Sequence, residues 1–129
     1  MRALIALLCA LTLSAGCAAH RGLGDDTPQN QSTLAGTVWK ISVPGGDPAT
    51  AYVQFREDGV LGYNYQQPSE FAFEGDDTWS VDRGLLIIRW SGGYAEERYP
   101  LMGGTTKFYG GKTSKSYKGE HPCTIEKVQ

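Results

Sequence analysis

The chain has 129 residues, with 12 basic and 14 acidic side chains, two histidines and a net charge of −2. That balance gives no electrostatic reason to expect nucleic acid as a partner. The histidines stand at opposite ends of the chain, His20 and His121, so a His-based metal triad or a Ser-His-Asp relay has too few members, and neither an enzyme nor a bound cofactor is expected.

The N-terminus reads as a leader. Arg2 supplies a positive charge, residues 3–13 (ALIALLCALTL) are apolar apart from Thr12, and the small residues Ser14, Ala15 and Gly16 lead to Cys17. At about 1.5 Å per residue this segment would make a helix near 16 Å long, about half a bilayer's hydrocarbon core. It is therefore a signal peptide rather than a membrane span. The run Leu13-Ser14-Ala15-Gly16-Cys17 resembles the lipobox of bacterial lipoproteins, with Ser14 in the place where Leu is commonest. The resemblance implies a diacylglycerol thioether on Cys17, cleavage between Gly16 and Cys17, and usually acylation of the new amine, by palmitate or a similar chain. Each buried CH₂ contributes about 0.8 kcal/mol, and two or more chains anchor a protein stably. In that family the residue after the cysteine influences sorting, and Ala18 implies the outer membrane, facing the periplasm, ahead of the inner membrane. The alternative is an ordinary secretory leader cut near Ala18 or Ala19, giving a soluble periplasmic chain.

The cysteines distinguish the two. With Cys9 in the leader and Cys17 lipidated, Cys123 has no intramolecular partner; with an ordinary leader, a Cys17–Cys123 disulfide is open in an oxidising compartment.

Residues 17–33 (CAAHRGLGDDTPQNQST) hold one large aliphatic side chain, Leu23. They bury too little apolar surface to offset their ordering entropy and read as a flexible tether. Residues 34–129 suffice for one small domain. Loss of Arg2 with the leader moves the net charge from −2 to −3.

This domain reads as all-β. Residues 37–43 form the first predicted strand, closed by Pro44-Gly45-Gly46; residues 51–56 alternate, with Ala51, Val53 and Phe55 on one face. Asp58-Gly59 turns the chain into residues 60–65. Residues 78–81 lead through Asp82-Arg83-Gly84 into 85–90, and Ser91-Gly92-Gly93 turns into 94–99, which Pro100 ends or places at a sheet edge. Short strands follow around 107–109 and 124–128, and no window has a helical apolar period. Seven to eight antiparallel strands joined by tight turns predict a small up-and-down barrel, which removes exposed edges, with a sandwich as second choice.

Leu34-Ala35-Gly36-Thr37-Val38-Trp39, then Val53-Gln54-Phe55-Arg56-Glu57-Asp58-Gly59 and Gly75 to Trp79, resemble the small lipocalin-like barrels of many bacterial lipoproteins, which implies the same fold. Lipocalins proper have G-x-W, whereas two residues separate Gly36 from Trp39 here. Eight strands either fill their interior or hold one small ligand. Trp39, Phe55, Trp79, Leu85, Ile87 and Trp90 are the expected filling, which favours a packed interior over a cavity.

Several patterns lack the rest of their motif. His121-Pro122-Cys123 offers two metal ligands, too few for a site. Gly111-Lys112-Thr113-Ser114 matches the tail of a P-loop, but Thr106 stands where the first glycine is required. Asp76-Asp77 reads as a turn and Glu96-Glu97 as strand neighbours on opposite faces, all four as solvated carboxylates. Residues 105–118 carry Lys107, Lys112, Lys115 and Lys118 without an acid, among Phe108, Tyr109 and Tyr117. These lysines are candidate contacts to an anionic surface, whether lipid headgroups, lipopolysaccharide phosphates or an acidic partner protein, set against an ordinary solvated hairpin.

The expected function is a membrane-anchored, non-catalytic binding or scaffold module of the cell envelope, its partner an envelope protein, lipid or glycan. The alternative is a carrier of a small lipid or glycan, or an enzyme inhibitor: Ser91-Gly92-Gly93-Tyr94 is similar to the Ser-Gly loop of small barrel lipoproteins that inhibit lysozyme.

Overall fold

The computed structural model describes residues 29–102, 106–114 and 120–129. Gly16, Cys17, Lys115 and Lys118, with the leader and most of the tether, lie outside the described residues.

Eight antiparallel strands close into a barrel in simple meander order: β1 (Val38–Ser42), β2 (Thr50–Phe55), β3 (Val60–Asn64), β4 (Ala72–Asp82), β5 (Leu85–Trp90), β6 (Ala95–Pro100), β7 (Lys107–Ser114) and β8 (Glu120–Lys127), which pairs back onto β1. Closure leaves no sheet edge, so the sandwich alternative does not apply. Pro100 is the last paired residue of β6, opposite Leu85.

Alternation decides the inside. In β2, Ala51, Val53 and Phe55 are buried while Thr50, Tyr52 and Gln54 are partly exposed, as the sequence pattern predicts. In β5 the inward set is Leu86, Ile88 and Trp90 rather than Leu85 and Ile87: Leu86 and Ile88 belong to the core cluster with Trp90 against it, and Ile87 does not. A continuous apolar run does not reveal its inner face, and here only its pairing partners do.

One end of the barrel is packed. Phe55 and Trp79 meet in a tilted pair at 4.7 Å between centroids, and Trp39 stacks on Phe108 at 5.5 Å and lies 6.4 Å from Phe55. Their indole N–H groups are satisfied locally, Trp39 donating to Thr37 Oγ1 (2.7 Å) and Trp79 to the Arg56 carbonyl (2.8 Å). A single helical turn, α1 (Gln31–Leu34), closes this end with the buried Leu34. Asn30 caps it: its Oδ1 accepts from the Ser32 and Thr33 amides, and its own N–H donates to Thr33 Oγ1. Gln31 Oε1 accepts the Val81 N–H at 2.9 Å. Residues 31–33, expected in the tether, therefore belong to the barrel's closure.

Candidate functional site

The other end is open. A cavity of about 300 Å³ enters the barrel there, and Ile41, Ala51 and Ala95 line its apolar part. The interior is thus packed over one half and hollow over the other, which differs from the filled barrel expected from the aromatic content. Trp39, Phe55 and Trp79 crowd one end, whereas Ala51 and Ala95 leave space at the other.

Strand ends bring four rings to this mouth, Tyr63, Tyr65, Trp90 and Tyr94. Tyr63 and Tyr65 contact at 5.2 Å, and Trp90 meets Tyr63 edge-on at 6.0 Å. Tyr94 follows the 3₁₀ turn Ser91–Gly93 and is about half exposed. Tyr63 donates its hydroxyl to Glu74 Oε1 at 2.7 Å, and this bond, with burial, pushes the phenol up to about 12. It therefore remains a donor at neutral pH.

Two carboxylates at the mouth are buried, which corrects their expected solvation. Asp77 is 3% exposed and lies in the middle of β4, not in a turn. Its Oδ1 accepts the Ser91 N–H at 2.7 Å, fixing a lip residue whose φ of +48° is left-handed and non-glycine. Burial raises its proton affinity against that bond, and the nearby charges of Asp76 and Glu74 add to the rise. Glu97 is 2% exposed on the inner face of β6, while Glu96 faces outward between Arg89 (2.9 Å) and Arg98 (2.6 Å). The two point to opposite faces, as alternation requires.

Glu97 is satisfied on both oxygens. Trp90 Nε1–H donates to Oε1 (3.1 Å) and the Tyr99 hydroxyl to Oε2 (2.9 Å). Burial nevertheless pushes its proton affinity up, opposed by the Tyr99 bond, the charge of Lys112 and the Trp90 bond. Cys123 adjoins Tyr99, and burial raises its thiol to about 11. It is a free, buried cysteine on β8, and His121, two residues earlier, is exposed.

The described lysines part company. Lys112 lies directly opposite Glu97 in the β6–β7 register and lines the mouth. Lys107 projects outward, 3.9 Å from Glu126 and over the Tyr109 ring at 5.9 Å. Both belong to β7, but their odd and even positions send them to opposite faces. Residues 111–114 continue β7, which is not the setting of a phosphate loop.

The mouth is acidic. Among the described residues Asp47, Glu74, Asp77 and Glu97 line it against the single base Lys112. The carboxylate oxygens of Glu74, Asp76 and Asp77 lie within 4.8 Å of one another. Among the described residues none of these three forms an ion pair with a lysine or arginine. Sequence reasoning passed over Tyr63, Tyr65, Asp77 and Glu97 as site residues. For Asp77 and Glu97 the available signal is their place in strands that bury Trp79 and Tyr99, at the same side-chain parity.

Comparison with protein-family models, curated proteins and solved structures finds no match to this chain.

Proposed function

We propose that this chain is a membrane-anchored lipoprotein of the cell envelope whose barrel binds a small ligand at its open end, without catalysis. The observation that carries the binding role is the mouth, where a cavity of about 300 Å³ is walled by four aromatic rings and several carboxylates. That volume is at the small end of the range for ligand sites, and aromatic walls with a few placed polar groups are their usual lining. The anchor rests on the leader pattern ending in Cys17. A tethered barrel keeps its mouth within reach of the envelope space while the packed end supplies stability.

Photo-crosslinking in envelope preparations tests this reading. A photoreactive residue in place of Tyr94, at the mouth, should capture a recurrent adduct, and one in place of Tyr109, 69% exposed on the outer wall, should not. Equal capture at both positions, or capture at Tyr109 alone, favours a scaffold acting through the barrel's outer surface.

A further inference from the structure

We infer that the open end is selective for an organic ammonium group, the cationic head of an alkyl amine, held between the aromatic wall of Tyr63, Tyr65, Trp90 and Tyr94 and the carboxylates Glu74 and Asp77. This rests on the proposal that the mouth is a ligand site, and it names the chemistry the site takes.

Charge separates the candidate ligands. Among the described residues four acids and one base line the cavity, and the base, Lys112, faces Glu97 across the β6–β7 pair, so its charge is already directed at a carboxylate. On the opposite wall Glu74 and Asp77 have no lysine or arginine partner among the described residues. An anion entering the cavity would meet this uncompensated charge, whereas a cation would relieve it. Burial is the main cause of the raised proton affinity of Asp77, against the Ser91 N–H bond, and the charges of Asp76 and Glu74 add a smaller rise.

The rings point to the same chemistry. Aromatic faces attract a cation through their quadrupole, more strongly once it is desolvated. Tyr63, Tyr65 and Trp90 form one contiguous cluster, and Tyr63 is hydrogen-bonded to Glu74, so ring and carboxylate form a single wall. A neutral sugar could stack on the same rings, but it would leave the carboxylates uncompensated. An ammonium group satisfies both features, donating to carboxylate oxygens while it lies against the rings. Ile41, Ala51 and Ala95 give the alkyl chain an apolar floor.

The test uses the full-length chain in non-ionic detergent and three probes of equal length: butylammonium, butanol and butyrate. The indole N–H signals report by position, Trp90 at the mouth and Trp39 and Trp79 in the packed half. Butylammonium should move the Trp90 signal and leave the other two in place, while butyrate and butanol move none. Glu74→Gln, an exposed change that keeps an oxygen for the Tyr63 hydroxyl, should weaken butylammonium binding about threefold or more. Unchanged binding in that variant overturns the inference. A stronger response to butyrate or butanol than to butylammonium overturns it while leaving the mouth a ligand site. Silence of Trp90 toward all three probes at tens of millimolar overturns the ligand site as well.

Discussion

Glu97 is the residue whose setting departs most from its sequence appearance. Glu96 and Glu97 are identical neighbours, and alternation places them on opposite faces without saying which face is inside. The inward choice is made by Tyr99 and Trp90, which donate to both oxygens of Glu97, and by the two arginines that hold Glu96 outside. Burial raises the proton affinity of Glu97 and Asp77 above the ordinary 4.5 and 3.8. A group that holds its proton more tightly when folded adds stability that is complete below its unfolded value and is lost as pH rises through its folded value. Urea denaturation should therefore show the chain becoming more stable as pH falls from about 7 toward about 5, each tenfold change in proton affinity being worth about 1.4 kcal/mol. Glu96 acts in the opposite sense: burial works against it, but its arginine bonds hold it below 4.5, so its contribution is lost on further acidification. Glu97→Gln should flatten the rise between about pH 7 and 5, and an unaltered slope would assign the effect elsewhere. At Asp77, alanine removes the acceptor for the Ser91 N–H and should cost about 1–3 kcal/mol in the same assay.

Among the elements, β2 and β6 through β8 were legible as strands from their patterning, although β7 and β8 run longer than expected, over Lys107–Ser114 and Glu120–Lys127. Their inner ends are polar, with Lys112 facing the hollow half of the barrel, so apolar content faded there before the strands ended. The 11 residues of β4 were the least legible. Ala72 to Asp77 carry a glycine and three acids, which read locally as turn and surface, and only pairing with β3 extends the strand. Gly110 shows the converse, a residue whose necessity only packing reveals. A Cβ there would overlap the Arg98 carbonyl oxygen and lie 2.9 Å from the Tyr99 ring. Gly110→Ala should therefore destabilise the barrel by about 1–3 kcal/mol, although alanine is otherwise the smallest change. A neutral result by thermal denaturation would mean that β6 and β7 separate freely at this point. Gln31→Ala, which removes the acceptor for the Val81 N–H, should cost about 1 kcal/mol.

For the whole molecule, the sequence supports a closed all-β barrel because every apolar segment of residues 34–129 is short and bounded by turn residues, and the chain closes as eight strands. The division into a packed and an open half was not legible. It depends on which aromatic side chains share an end, a property of register rather than of composition. In the proposed function that division separates two tasks, stability from the cluster around Trp39, Phe55 and Trp79 and ligand binding at the mouth. The proposed anchor predicts that Cys17→Ser moves the chain from the membrane to the soluble fraction of the envelope; continued membrane fractionation with no soluble population would remove it. The proposed ligand site at the mouth is tested most directly by native mass spectrometry of the full chain extracted from bacterial membranes, compared with Ala95→Phe, which places a ring at the cavity lining. The wild-type chain should carry a small-molecule adduct that Ala95→Phe loses while its Trp39 and Trp79 indole signals stay in place. A wild-type chain without any adduct, or an adduct equally abundant on Ala95→Phe, would contradict a ligand site at the mouth.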